Sequence, residues 1–350
     1  MRALTVVPQS PGSLALTEVD DPRPAAGELL VQALAVGVCG TDREIAAGEF
    51  GTAPHGADRL VIGHESFGRV LEAPADSGFA AGDLVAGIVR RPDPEPCGAC
   101  ANGYFDMCRN GGYTERGIKE LHGFASELWT VEADYALRLD PALGGAGVLM
   151  EPTSVVAKAW DEIERIGSRS WFDPQRVLVT GAGPIGLLAA MLGRQRGLDV
   201  HVLDQVETGA KPELVDALGA TYHTEGFDEA VADVLPDVVI EATGVPSLVM
   251  AAMARTTPYG IVCLTGISAP GKRTAVDAGE LNRSIVLDND VVFGSVNANR
   301  AHYALAADAL AAADREWLDR VVSRRVPLED WADAFTDQDD DVKIAITLGD

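Results

Sequence analysis

The stretch RVLVTGAGPIGLLAAMLGRQRG, residues 176–197, carries the reading of the fold. Its first five residues form an apolar, β-branched run of strand character, and PIGLLAAMLGRQRG after it has helical periodicity. Between them stand Gly181, Gly183 and Gly186 in the spacing G-x-G-x-x-G, with Ala182, Pro184 and Ile185 filling the turn. That spacing alone is a weak signal. Placed directly after a strand and at the opening of a helix, it has the context that dinucleotide binding requires. Gly181 permits the tight turn, Gly183 lets the backbone approach a pyrophosphate, and Gly186 allows helix and strand to pack closely. The phosphates then meet the N–H groups at the positive end of the helix.

Working outward, the next apolar run is DVHVLD, residues 199–204, which ends in Asp204, eighteen residues beyond Gly186. A carboxylate there accepts hydrogen bonds from ribose hydroxyls and repels a 2′-phosphate. Gln205 and Val206 follow it, so no arginine stands there to receive such a phosphate. NAD is the preferred cofactor on this reading, with NADP also allowed. Two further strands, DVVIEATG (237–244) and GIVCLTG (260–266), end in small residues. In an open parallel sheet, ligands lie beyond the carboxyl ends of the strands, so Thr243, Gly244, Thr265, Gly266 and Ile267 are expected to line the cofactor groove. KPELVDALGA and SLVMAAMARTT have helical periodicity between the strands. Continuous apolar strands alternating with helices predict an α/β, doubly wound parallel sheet of Rossmann type.

Before residue 151 the texture differs. ALTVV, ELLVQALAVGV, RLVIGHESFGRVLEA and DLVAGIV are short β-rich runs among Gly and Pro, which predicts a β domain with many turns. A helix is expected over PTSVVAKAWDEIERIG. Near the other end, HYALAADALAAADREWLDRVVSR (302–324) reads as one long amphipathic helix, followed by a short strand KIAITL. The acidic run Asp337–Asp341, interrupted by Gln338, reads as a solvated loop.

Bulk properties bound the function. At 350 residues, two domains are expected. The 53 acidic side chains against 28 basic ones give a formal net charge of −25, which disfavours nucleic acid and anionic membranes as partners. Such a surface suits high salt, where screening relieves self-repulsion. MRALTVVPQS lacks the pattern of a secretory signal and no apolar run is long enough to span a bilayer, so a cytoplasmic location is expected. The 5 cysteines are then more suited to metal binding or packing than to disulfides. Cys263, inside GIVCLTG, reads as a core residue.

VGVCGTD places Cys39, Thr41 and Asp42 at a strand-to-turn boundary, VIGHES gives His64 and Glu65, and LMEPTSV gives Glu151. One thiolate, one imidazole and two carboxylates suit a catalytic zinc that keeps one position open for water or substrate. Zinc in such a site lowers the pKa of an alcohol, from which hydride then leaves to a nicotinamide. Each residue alone has a plain structural explanation; their combination carries the inference.

These motifs carry a resemblance. G-V-C-G-T-D, G-H-E, E-P-T-S-V and G-A-G-P-I-G, in that order along nearly the whole chain, resemble the zinc-containing medium-chain dehydrogenase/reductase superfamily. V-R-R-P, E-R-G-I, H-G-F and G-S-V-N look like its archaeal glucose (aldose) dehydrogenase branch. The resemblance implies a GroES-like catalytic domain over 1–156 and 297–350, and a nucleotide-binding domain over 157–296. It implies zinc held near Cys39, His64 and Glu65, with Glu151 as a ligand or as a substrate contact beside the metal. Thr41 would relay the substrate proton, and Asp42 would orient His64. Glu115 and Asn297 match positions that hold sugar hydroxyls; Asn297, with Ser295 and Val296 before it, also matches the nicotinamide side. The branch commonly favours NADP or uses both cofactors, and Asp204-Gln205-Val206 departs from that. A structural zinc lobe of spacing C-x2-C-x2-C-x7-C is incomplete: Cys97, Cys100 and Cys108 fit its last three positions and Pro94 occupies the first. Asp93 and Glu95 are the candidates to replace the missing thiolate. A dimer or tetramer is implied, formed partly through strands of the nucleotide domain.

The expected reaction is oxidation of an aldose at C1 to the aldonolactone. Two rivals stay open on sequence: a polyol or secondary-alcohol dehydrogenase with the same zinc chemistry, and a catalytically silent NAD-binding or redox-sensing relative.

Overall fold

The run ELLVQALAVGV becomes an eleven-residue strand, Glu28–Val38, in a computed structural model that describes every residue except Lys272, Asp337, Asp339 and Asp350. Its first residues alternate between half-buried and buried, and its last four are all buried as it reaches Cys39. Alternation marks a sheet with one covered face; the buried end marks where the core closes over it. Two masked positions, Asp337 and Asp339, belong to the acidic run read as a solvated loop, which therefore lies partly outside the described residues.

The chain divides into two compact units, Met1–Ser154 with Asn297–Asp350, and Val155–Val296. The first is built on a seven-stranded sheet, in which Glu28–Val38 pairs antiparallel with Leu128–Glu132, Glu65–Glu72 and Ile344–Thr347. The segment after the second unit thus returns to the first and adds a strand to its sheet. A buried cluster that includes Leu4, Val36, Ile45, Leu60, Ile62 and Ile346 packs beneath it.

The second unit is a six-stranded parallel sheet. Its order is Thr221–His223, Asp199–Leu203, Arg176–Thr180, Val238–Glu241, Ile261–Leu264, Val291–Gly294. The chain therefore winds one way from Arg176–Thr180 and then the other, which puts the switch point beside that strand, where ligands bind in such sheets. Val177, Val179, Val200, Val202, Val239 and Ile240 are fully buried, as strands covered on both faces must be. The edge strands Thr221–His223 and Val291–Gly294 were not among those expected from sequence. Each is three or four residues long; the first runs from exposed Thr221 to buried His223 and the second is mostly half-buried.

Two other expectations are corrected. The segment 302–324 is two helices, Arg300–Ala312 and Arg315–Val321, because Ala313 is extended and Asp314 caps the second, accepting a bond from Trp317 N at 2.8 Å. Its last residue, Arg324, already starts the strand Arg324–Pro327. Cys39 does not end in a turn but caps a short helix, Gly40–Ala46. Cys263 is fully buried, in keeping with a packing role. Among the described residues, no helix is long and apolar enough to cross a membrane.

Candidate active site

The first unit gathers its chemistry at the buried end of Glu28–Val38. Cys39 caps Gly40–Ala46: its Sγ accepts from Thr41 N at 3.3 Å, and its own N–H donates to Asp42 Oδ2 at 3.0 Å. This reciprocal cap fixes Cys39, Thr41 and Asp42 relative to one another. His64 Nε2 lies 3.0 Å from Cys39 Sγ, and its Nδ1 lies 3.4 Å from Asp42 Oδ1. Asp42 thus lies on the Nδ1 side of the ring while Nε2 faces the thiol, the side from which a partner orients a metal-binding imidazole.

Glu65, next along, pairs across the sheet with Gly37. A Cβ at residue 37 would stand 1.9 Å from Glu65 Oε2, so glycine there makes the room in which the carboxylate lies. On the far side of Glu28–Val38 comes Ile344–Thr347, and Lys343 just before it donates to Glu65 Oε1 at 2.5 Å and to Val38 O at 3.2 Å. Lys343 was not among the expected site residues.

Sγ of Cys39, a ring nitrogen of His64 and a carboxylate oxygen of Glu65 all lie within 4.8 Å of one another. Burial alone would lower the His64 imidazole, yet the negative charges of Cys39 and Asp42 raise it well above its usual value. Burial would likewise lower Lys343, and Glu65 and Cys39 raise it. The enclosure therefore has a field that favours positive charge. A soft sulfur, an imidazole and a carboxylate within reach of one point, in a negative field, fit zinc.

Glu151 does not join that three-residue group. It stands in the first turn of the helix Met150–Gly167, and burial, with Glu65 adding like charge, lifts its carboxyl to about 7. Its coulombic interactions with His64, Glu65 and Lys343 put its carboxyl in the same enclosure as the three donors.

A second polar cluster lies in the same unit. Arg90 and Glu115 are both buried; Arg90 Nε and Nη2 donate to Glu115 Oε1 at 3.1 and 3.0 Å. The amide of Asn297 donates to the same oxygen at 3.0 Å and accepts from Arg90 Nη2. Glu115 and Asn297, 182 positions apart in sequence, thus come together.

Cys97, Cys100 and Cys108 also converge, their sulfurs within 4.8 Å of one another. Among the described residues, no carboxylate joins them at that range. Asp93 Oδ1 accepts from Glu95 N at 2.9 Å. The N–H of Arg109 lowers Cys97 to about 6, and burial raises Cys100 to about 11.

In the second unit the glycine turn sits at the switch point. A Cβ on Gly186 would lie 1.8 Å from Gly181 O, so this glycine serves packing. A Cβ on Gly183 would meet no protein atom within 4 Å, and its φ of −79° suits any residue. Gly183 thus faces open space at the helix end, room that fits a pyrophosphate. Asp204 accepts from Ala182 N at 2.7 Å and Val206 N at 3.1 Å, and Lys211 Nζ stands 3.2 Å from it. Burial would raise this carboxyl, but those partners hold it below its usual range. A cavity of about 620 Å³ opens between the turns, lined by Gly181, Asp204, Gln205, Glu225, Thr243 and other residues.

Glu241, missed in the sequence, ties the turns. It is fully buried and accepts from Thr243 N at 2.8 Å, Gly244 N at 3.2 Å and the hydroxyl of Thr180 at 3.4 Å. Thr265 closes on the same strand, its hydroxyl donating to Glu241 O at 2.8 Å. Gly266 packs against Gly244 so closely that a Cβ would lie 2.1 Å from its nitrogen. Ile267 is exposed beside them, and the buried Lys158 donates to Val296 O at 3.0 Å, next to Ser295.

Comparison with known proteins agrees with this geometry. Residues 144–348 match the family described as Glucose dehydrogenase C-terminus, and residues 25–141 match the Alcohol dehydrogenase GroES-like domain. The chain is 40% identical over its full length to all of a glucose 1-dehydrogenase from Methanocella arvoryzae. It is also 40% identical, over 94% of each chain, to one from Halobacterium salinarum. The structure of Haloferax mediterranei glucose dehydrogenase in complex with NADP, Zn and gluconolactone matches with a TM-score of 0.92 at 32% identity, covering 100% of both chains.

Proposed function

As the chain belongs to the glucose dehydrogenase family, within the GroES-like alcohol dehydrogenases, we propose that it is a zinc-dependent glucose 1-dehydrogenase. It oxidises a glucose-like aldose at C1 to the aldonolactone, and hydride goes to NAD(P). The observation that carries this reading is the convergence of Cys39, His64 and Glu65. A catalytically silent relative has no need of a thiol, an imidazole and a carboxylate around one point.

Cys39, His64 and Glu65 would hold the metal. When bound, zinc supplies Lewis acidity towards the C1 hydroxyl and the nicotinamide accepts the hydride. The chain's own residues do the rest. Asp42 keeps the His64 ring turned. The Thr41 hydroxyl, on the helix that Cys39 caps, takes the proton of the sugar hydroxyl towards solvent. Glu151 accepts a sugar hydroxyl beside the metal donors, and Glu115 with Asn297 grips others. Gly183 and the helix after it receive the pyrophosphate, and Asp204 receives the adenosine ribose. Asp204 and Glu225 on the cavity wall favour NAD over NADP, since both repel a 2′-phosphate.

Assembly as a homodimer or homotetramer is supported by the edge of the nucleotide unit. The helix Ala278–Asp288 has no buried residue and exposes Val286 and Leu287 by 63% and 62%, just before the edge strand Val291–Gly294. An isolated helix of this length is marginal in water, so a second copy is expected to cover it. Light scattering of the purified chain reads the assembly directly.

Steady-state rates with glucose, galactose, xylose and sorbitol, each against NAD and NADP at low and high salt, test the activity. Aldoses are expected to be turned over far faster than sorbitol. A preference for sorbitol would move the chain to the polyol dehydrogenases.

A further inference from the structure

Arg90 is buried, and nothing in the proposed chemistry yet uses it. Its guanidinium lies 3.7 Å over the ring of Tyr113, and Nη1 donates to Asp106 O at 3.0 Å. Those two contacts fix the plane of the fork. The remaining donors, Nε and Nη2, both point to Glu115 Oε1, and Nη2 also reaches the amide oxygen of Asn297. Asn297 closes the ring by donating to Glu115 Oε1. None of these bonds falls on Glu115 Oε2.

We propose that Arg90 is the positioning residue of the sugar subsite: it engages one oxygen of Glu115 and the amide of Asn297, so that Glu115 Oε2 and the free Asn297 N–H are presented to sugar hydroxyls in fixed directions. The inference rests on the reading of Glu115 and Asn297 as sugar contacts. Three features carry it. Glu115 is buried, and a buried carboxylate without a partner is costly; Arg90, also buried, is that partner. A planar fork held from behind by Tyr113 and Asp106 carries orientation, which a point charge does not. Asn297 lies 207 positions from Arg90 and has a positive φ of 63°, an uncommon backbone state for a residue other than glycine. The bond to Arg90 gives that strained residue a fixed partner.

Lysine in place of Arg90 keeps the charge and loses the fork. In the zinc-loaded full chain, Arg90→Lys is therefore expected to raise the KM for glucose about tenfold, with the KM for the nicotinamide cofactor changed less than about twofold. Arg90→Gln is expected to do at least as much. A merely structural role would lower kcat, cofactor binding and the unfolding midpoint together. Two further measurements separate the cases. In an E115Q background, Arg90→Lys should add little, because its effect passes through Glu115. With a series of monodeoxyglucoses, the hydroxyl whose removal is most costly to the wild type should lose that cost in R90K. Wild-type glucose KM in R90K, or full additivity with E115Q, overturns the proposal while leaving the sugar subsite standing. An E115Q variant with unchanged glucose KM removes the subsite reading itself, and the role of Arg90 with it.

Discussion

Lys343 Nζ lies 2.5 Å from Glu65 Oε1, so the residue before the final strand governs the carboxylate of a residue 278 positions earlier. Both side chains are buried, and Gly37 between their strands leaves the space in which they meet. The pair gives the buried carboxylate of Glu65 a buried cation as its partner.

Removing the lysine leaves the buried carboxylate of Glu65 without that partner. Lys343→Met is expected to destabilise the metal-free protein by about 3 kcal/mol, the usual penalty for breaking a buried ion pair. Added zinc should recover part of that loss, because a bound cation takes over the neutralisation and binds only the folded state. Unfolding midpoints with zinc and with a chelator, for wild type and variant, measure both effects. An equal loss under the two conditions would mean that Glu65 does not face the metal.

In the proposed reaction, the hydroxyl of Thr41 carries a proton away from the sugar. Thr41→Ala is expected to lower kcat about a hundredfold, and Thr41→Ser to retain most of it, since serine keeps the oxygen and loses only a methyl. Stopped-flow rates of cofactor reduction read the effect. Similar losses in both variants would point to packing by the methyl group instead.

The proposed preference for NAD over NADP rests on Asp204. Replacing it with alanine removes the repulsion towards a 2′-phosphate and leaves Lys211 without its carboxylate. The ratio of kcat/KM for NADP to that for NAD is expected to rise at least about tenfold. Because Asp204 also accepts from Ala182 N, rates with NAD should fall in the same variant. An unchanged ratio would assign the preference elsewhere on the cavity wall.

Much of this was legible in the chain because the chemistry is local. The glycine turn declares itself by following an apolar strand, and Cys39, Thr41 and Asp42 sit within four consecutive residues of one cap. Long-range partners gave no such signal. Lys343 reads only as a lysine before an apolar run, and Glu241 as a polar end to a strand. Their importance comes from which atoms the sheet register brings opposite them. Arg90 and Asn297 likewise meet through the return of the last segment. The break at Asp314 was readable in principle, as a capping residue three positions before Trp317, but apolar periodicity continues across it. The two edge strands stayed hidden because each is only three or four residues long, too short to show a periodicity.

The central claim is that Cys39, His64 and Glu65 hold a zinc ion on which sugar oxidation depends. Metal content and turnover of His64→Ala, alongside cofactor binding by fluorescence, test it most directly. The account predicts loss of the catalytic zinc, loss of glucose oxidation by at least about three orders of magnitude, and cofactor binding close to wild type. Undiminished turnover in that variant, or wild-type enzyme that oxidises glucose after its metal is stripped, would contradict it.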